Sequence, residues 1–580
     1  VDRQDGQRGE GLARRGRAVW LALWQARSNF LIALFCLAAL TALDLGYNRL
    51  VNPDYAFGPA AFFNRSYWLT GLLILMATFA GRWFLTIFLS TVFAVSIFQI
   101  TNYEYFGSYI LPIHYIQLIP DFMLIMASLH EALAEMIPIL TMAGLGLVLV
   151  LAVLVPLARR RMVVPRAALL VIALIGGDVV GKYAFIAANR EKLGEPSFRA
   201  LFPDVNHLAI HNAYRSARYL LVGILPDRIA GTAPDYPALP APVALSTPDV
   251  NIVVILNEAI RAKSLSVLGY EHDTTPRLAS EEGLFATSVY SAGTMTRTSF
   301  AGFVNRLKYP GIGKQFLSQS NCLFRLAKAN GFDTHFMYAQ DRIVADTLLP
   351  FMCPKQIDAV WTTSEAPPEA KAFDESLMHH LQSIDLTRRN FILIGPRGAH
   401  TPYAEKSPPE FKAFAEEYDN AILYTDHVAG EIIDHLRKHS PKPTYVIFTS
   451  DHGQLLKGED ERRGHGWFKQ EVVVVPFLFL PLNGPAPDET PDQTMAEVRK
   501  VQSHFDIATL VVQLMGYDVA VEDAKTREIH INGSDLSGLA GQLRLVLEDG
   551  EVEAVELING TEAPPDPEEF RIPQTLRPEG

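Results

Sequence analysis

The chain has 580 residues, more than one hydrophobic core accommodates, so several folding units are expected. A net charge of −12 removes the basic face a nucleic-acid partner would need. Three cysteines, Cys36, Cys322 and Cys353, exclude a disulfide-dense scaffold and a CxxC zinc ribbon.

Hydrophobic residues make up 49%, and they concentrate before residue 190. Residues 1–28 read as a tail. Residues 29–190 read as a transmembrane domain of five helices, Asn29–Tyr47, Phe62–Ala80, Trp83–Thr101, Met136–Leu157 and Ala167–Ala188. Each run approaches the roughly 20 apolar residues a bilayer crossing needs. Arg14, Arg15, Arg17 and Arg27 precede the first run, Arg82 lies between the second and third, and Arg159, Arg160, Arg161 and Arg166 lie between the last two. The remaining connections are acidic, so the positive-inside rule places the N-terminus in the cytoplasm and everything after Ala188 outside it. The first run lacks a small-residue cleavage site, so no cleaved signal peptide is expected. Residues 121–135 read as an amphipathic helix lying on the outer surface. Asp178 and Lys182, four apart on the fifth run, read as a functional pair or as an internal i,i+4 ion pair.

Residues 191–248 form a bridging segment that ends in a proline-rich linker. From 249 to 540 short β-rich runs alternate with helical stretches: 251–256, 334–338, 390–395, 444–450 and 472–480. The alternation predicts an α/β domain with a mainly parallel sheet. Residues 541–580 read as a hairpin turning at Asp549-Gly550, then a Pro/Glu-rich tail expected to be mobile.

In such a sheet, function collects where parallel strands end. The run 251–256 ends at Asn257-Glu258, and the run 444–450 ends at Asp451-His452-Gly453. Glu, Asp and His together suit Zn²⁺ or Mn²⁺, although Asp-His-Gly alone is equally an ordinary surface pair. The stretch SAGTMTRTSF, Ser291–Phe300, offers Thr294, Thr296 and Thr298 as hydroxyls, and a hydroxyl becomes a nucleophile only beside a base or a metal.

Taken in order, NEAIRAKSLSVLGYEHDTTPRLA (257–279), SAGTMT (291–296), YDNAILYTD (418–426), TSDHG (449–453) and GHG (464–466) resemble the membrane-bound phosphoethanolamine transferases of the sulfatase and alkaline phosphatase superfamily. The resemblance implies a periplasmic sulfatase-like catalytic domain carried by a multi-pass bacterial inner-membrane anchor. It implies Thr296 as the nucleophile, with Glu258, Asp451, His452 and Thr296 Oγ holding zinc, or manganese in its place. It implies His400, in RGAHTPY, and His465 as groups that handle substrate phosphate or a second metal. Phosphatidylethanolamine is the implied donor and an envelope glycan or glycolipid the acceptor, lipid A first. Glu104, at the outer end of the third run, then becomes a candidate for the donor's ammonium, beside its reading as a solvated interfacial carboxylate.

The chain departs from the family where Asn257 and Ala259 flank Glu258, where Lys263 replaces an Asp, and where Gln454 follows Asp-His-Gly. These positions leave the ligand set whole and bear on its tuning. One disulfide, Cys322–Cys353, is expected, since both cysteines follow the last run and face an oxidising compartment. The alternative is a pair of buried thiols. A phosphoglycerol transferase acting on phosphatidylglycerol is the other enzyme compatible with this fold, and a catalytically silent membrane scaffold the non-enzymatic one. No Cys-x-Pro-x-Arg or Ser-x-Pro-x-Arg motif supplies a sulfatase's formylglycine.

Overall fold

The computed structural model describes residues 2–50, 60–106, 110, 137, 141, 144, 161–164, 166–189, 208–224, 239–309, 320–340, 342–365, 374–460, 462–484, 492–533, 541–558 and 566–572. The chain divides into two compact units, Val1–Pro120 with Ala127–Gly231, and Asp121–Met126 with Thr232–Gly580.

The first unit is helical: α1 (Asp2–Leu50), α2 (Arg65–Phe79), α3 (Arg82–Phe106), α4 (Ala167–Asn189) and α5 (Ala209–Tyr219). Among the described residues three segments, Trp24–Leu50, Arg82–Tyr103 and Ala167–Phe185, are long and apolar enough to cross a bilayer. The five expected runs are thus met by three. The second run is carried by the short helix Ala60–Phe63 and the 15-residue α2, neither of that length by itself. The fourth, with the amphipathic segment 121–135, lies outside the described residues apart from isolated positions. Buried Asn29 of α1 donates to Thr78 O (2.9 Å) and Met162 O (3.0 Å). Arg161 donates to the carbonyls of Thr78 and Ala80, a cation on the free carbonyls where α2 ends. Asp178 does not pair with Lys182. Its Oδ2 accepts from Tyr214 Oη (2.6 Å) and Arg218 Nη1 (2.5 Å) of α5, two donors on one carboxylate oxygen.

The second unit is an α/β domain. Its main sheet runs β2-β7-β6-β1-β5-β3-β4. The strands are β1 (Asn251–Asn257), β2 (Phe285–Tyr290), β3 (Asp333–Tyr338), β4 (Ala359–Thr362), β5 (Asn390–Gly395), β6 (Thr444–Ser450) and β7 (Val474–Leu482). Five of them, β6, β1, β5, β3 and β4, are mutually parallel; β7 runs against β6, and the edge strand β2, antiparallel to β7, returns to the common direction. The central β1, NIVVILN, is buried at every position, as a strand covered on both faces must be. A second sheet, β10-β9-β8, comprises β8 (Thr526–Asn532), β9 (Gln542–Glu548) and β10 (Glu551–Ile558). Its β9–β10 hairpin turns at Asp549 (φ 50°) and Gly550 (φ 82°), two left-handed residues as a tight primed turn requires. Cys322 and Cys353 are bonded to each other, and Cys36 is a buried free thiol.

Three helices of this unit position the site: α6 (Thr296–Val304), α7 (Glu417–His439) and α8 (His504–Leu514). The long α7 places acids in its first turn and Arg437, Lys438 and His439 in its last, matching its dipole at both ends.

Candidate active site

β1 and β6 lie side by side in parallel, with Asn257 in register with Ser450. The residues that follow, Glu258 and Asp451, therefore emerge together at the carboxyl edge of the sheet, although 193 positions separate them in the chain. Asp451 N donates to Asn257 O (2.8 Å), which locks that edge. Thr296 is the first residue of α6. Its Oγ1 donates to Glu258, 3.1 Å from each carboxylate oxygen, and lies 3.3 Å from His452 Nε2. The ligand atoms of Glu258, Asp451 and His452 all lie within 4.8 Å of one another.

The other two threonines point elsewhere. Thr294 is fully buried, and Thr298 donates to Met295 O (2.9 Å). Gly293 allows the Thr298 side chain to pack against the backbone, because a Cβ there would sit 2.4 Å from Thr298 Oγ1.

The cluster fits a divalent cation. Asp451 Oδ1 accepts from Ala259 N (3.1 Å) and His452 N (2.7 Å), whereas the buried Oδ2 has no hydrogen-bond partner. His452 Nδ1 lies 2.8 Å from Gly453 O, so Nδ1–H donates there and Nε2 turns its lone pair on the cluster. With only protons to neutralise the cluster, its groups titrate abnormally. Burial and the charge of Glu258 push Asp451 up, to about 7. For His452, burial works downward, but the charge of Asp451 and the hydrogen bond to Glu258 outweigh it and raise the imidazole to about 9. Burial works upward on Glu258, and His452 holds it below the usual carboxylate range. Two enclosed carboxylates sharing one imidazolium are what a metal site looks like to a proton.

His465 and His400 flank this centre. The His465 ring lies 4.5 Å from that of His452 and 5.3 Å from that of His400. Burial, then neighbouring His452, lowers His465 well below 6.5, and burial also lowers His400. Both rings are neutral near pH 7 and offer lone pairs. Glu104 lies on α3 of the first unit, its side chain outside the described residues.

Gln454 lies 2.9 Å from Tyr403 Oη and 3.1 Å from His465 Nδ1, so it fixes the ring of His465. Lys263 pairs with Glu471 (2.8 Å) and Glu459 (3.2 Å), and Arg261 pairs with Glu459 (2.6 Å). That network ties the 261–263 turn to the segment carrying His465. Asn257 Nδ2 donates to Thr449 O (2.8 Å) across the strand ends.

The ordered motifs of the sequence prove to be one scaffold. Tyr418 Oη donates to Ala259 O (2.8 Å) and accepts from Arg261 N (3.1 Å), gripping the turn after Glu258. Asp419 accepts from Tyr270 Oη (3.1 Å) and lies 2.6 Å from His272 Nδ1. Asp426 accepts from Arg277 N and Leu278 N, both at 2.9 Å. Sequence reasoning passed over Tyr418, and also His504 and Ser299. Fully buried His504 accepts from Ala292 N (3.1 Å), while Ser299 Oγ donates to Asp451 O, so the segment that carries Thr296 is fastened to the end of β6. A buried Ser and His offer no spacing that distinguishes them from core residues.

Residues 250–517, just under half of the chain, match the Sulfatase family model, in keeping with a strand-end centre in an α/β sheet and a threonine at a helix N-terminus. The relatives are specific. The chain is similar to the Kdo(2)-lipid A phosphoethanolamine 7''-transferase of Escherichia coli (strain K12), 26% identical over 240 residues, 37% of this chain and 41% of that protein. It is similar to phosphoethanolamine transferase EptA of Salmonella typhimurium, 26% identical over 242 residues, 37% of this chain and 42% of that protein. The matches thus span about two fifths of these relatives' length. The integral membrane protein lipooligosaccharide phosphoethanolamine transferase A (EptA) from Neisseria meningitidis shares the fold, with a TM-score of 0.54 and 16% identity over 84% of this chain and 95% of that one. The resemblance to membrane-bound phosphoethanolamine transferases stands.

Proposed function

We propose that the protein transfers phosphoethanolamine from phosphatidylethanolamine to a hydroxyl or phosphate of a cell-envelope glycan or glycolipid, lipid A first, through a phosphothreonine at Thr296. The observation that carries this reading is the Thr296 hydroxyl set against Glu258 and His452, beside an unpartnered Asp451 oxygen, in a domain that matches the Sulfatase family model. Glu258, Asp451, His452 and Thr296 Oγ1 hold a divalent ion, zinc by the nature of the donors and manganese as the other candidate. Such an ion, when bound, supplies Lewis acidity that makes the threonine alkoxide accessible near neutral pH.

Thr296 Oγ1 then attacks the head-group phosphorus, the bond from phosphorus to the glycerol oxygen breaks, and diacylglycerol leaves with the proton that the Thr296 hydroxyl gives up. His400 and His465, neutral and adjacent, contact the phosphoryl oxygens and receive the proton of the acceptor hydroxyl, which displaces Thr296 in the second half-reaction. In this reading residues 29–190 cross the bacterial inner membrane five times with the N-terminus cytoplasmic, residues 191–248 bridge, and the catalytic domain 249–540 with the hairpin segment 541–580 lies in the periplasm. Glu104 meets the donor's ammonium at the bilayer surface.

Purified full-length protein in liposomes of phosphatidylethanolamine or phosphatidylglycerol tests the reading. Diacylglycerol release and a threonine adduct with the mass of phosphoethanolamine, from the first lipid alone, are expected. Transfer from phosphatidylglycerol alone promotes the phosphoglycerol transferase, and no adduct from either promotes the silent scaffold.

A further inference from the structure

Beyond the last turn of α6 lies a charge that the transfer reaction does not use. Arg306 follows the helix in a left-handed conformation (φ 48°), and its N–H donates to Phe303 O (3.1 Å). The side chain is only 8% exposed. Its Nε and Nη1 are enclosed and meet no acceptor among the described residues, and the guanidinium lies against the Phe505 ring, 5.5 Å from the centroid. Lys308 approaches the same ring at 5.8 Å. The carboxylates of this neighbourhood are engaged elsewhere: Glu522 with Lys308 (2.7 Å) and Asp506 with Arg527 (3.2 Å). Burial lowers the pKa of Arg306, and no carboxylate opposes it. The chain from Leu307 to Asn321, LKYPGIGKQFLSQSN, carries no acid at all.

Two enclosed guanidinium N–H groups without acceptors are costly for a fold to hold. One aromatic face offsets only about 0.5–2 kcal/mol of that. A guanidinium presents a planar fork of donors, and the anion that satisfies such a fork is one with two oxygens on a common atom.

We propose that Arg306, with Lys308 beside it on Phe505, is a binding site for a phosphate oxyanion, taken as free phosphate or as the phosphomonoester of a lipid or glycolipid. Two phosphate oxygens accept along one edge of the Arg306 guanidinium, and Lys308, which already pairs with Glu522 (2.7 Å), lies beside it. The site is distinct from the Thr296 centre, since the 9-residue α6 separates them by about 13 Å at 1.5 Å per residue. It stands or falls independently of the transfer reaction.

The test is thermal unfolding of the full chain in detergent, stripped of metal with chelator, over a series of inorganic phosphate at constant ionic strength. Anything that binds only the folded state raises Tm with its concentration. Wild type and Thr296→Ala are expected to show the same rise. Arg306→Met is expected to melt higher than wild type without phosphate, because an unpaired buried charge is gone, and to lose the phosphate-dependent rise. Arg306→Lys keeps the charge but not the fork and is expected to need about tenfold more phosphate. Mixed micelles containing phosphatidic acid, against phosphatidylcholine alone, separate the sources: a rise at lower concentration with phosphatidic acid identifies a lipid phosphomonoester, and a rise with inorganic phosphate alone identifies the free ion. A phosphate rise retained in both Arg306 variants, or no rise in wild type with either probe, overturns the site.

Discussion

Thr296 has a hydroxyl shared between Glu258 and His452, while Thr294 is buried and Thr298 is spent on a backbone carbonyl. Thr296→Ala is therefore expected to abolish transfer with an unchanged melting profile, a loss well beyond the ~10²–10³ of removing one stabilising donor. Thr294→Ala is expected to keep turnover, and the reverse result would refute the assignment. The ligands carry a pH signature. Asp451 at about 7 and His452 at about 9 both stand raised before metal binds, so both must give up protons to it. Zinc affinity should weaken by about tenfold per pH unit as pH falls below 9, and by about a hundredfold per unit below 7. Calorimetry in buffers of different ionisation enthalpy measures the protons released, and a pH-independent affinity would contradict the ligand set. Ala259 occupies φ 58° without being glycine, immediately after Glu258. Strain at that position suits a held metal site, and Ala259→Gly should relieve about 1 kcal/mol of it in a denaturation curve.

At the scale of elements, α7 organises the site without entering it. Its Tyr418, Asp419 and Asp426 hold three successive points of the 257–279 segment. Tyr418→Phe keeps the ring and strands two buried backbone groups, Ala259 O and Arg261 N. It should cost about 1–3 kcal/mol of stability. It should also lower metal affinity and kcat while the donor KM stays fixed, which a purely structural residue far from Glu258 would not do. The Cys322–Cys353 bond closes a loop across a sequence separation of 31 and joins the N-cap of the helix Leu323–Ala329 to the turn before Pro354. Alkylation of denatured, unreduced protein should label Cys36 alone. Replacing both bridged cysteines by Ala should cost about 3–4 kcal/mol in the chain-entropy account.

At the scale of the molecule, a lipid donor gives meaning to the apolar helices of the first unit. One helix would tether a domain, and this chain has at least three of sufficient length. Tethering raises effective donor concentration, whereas a binding surface also orients the scissile bond. The domain from Asp249 onward, fused to a single unrelated membrane helix and assayed in phosphatidylethanolamine liposomes, should stay well below the full chain in turnover. Equal turnover would reduce the native helices to an anchor.

Some of this was settled by local sequence. The apolar runs at Trp24–Leu50, Arg82–Tyr103 and Ala167–Phe185, the central strands and the Asp549-Gly550 turn follow from hydropathy, period and backbone preference, which act over a few residues. The site residues were legible only as fragments at strand ends, ordered along the chain. Their meeting depends on the strand order that puts β6 beside β1, and no local property of either strand encodes a neighbour 193 positions away. Tertiary structure likewise decided that β7 runs against its neighbours, although its run has the same composition as the parallel strands, and the transfer of Asp178 from Lys182 to Arg218. It alone left Arg306 enclosed without a partner, because whether a charge is solvated depends on what folds over it, and every arginine in a sequence reads as solvated.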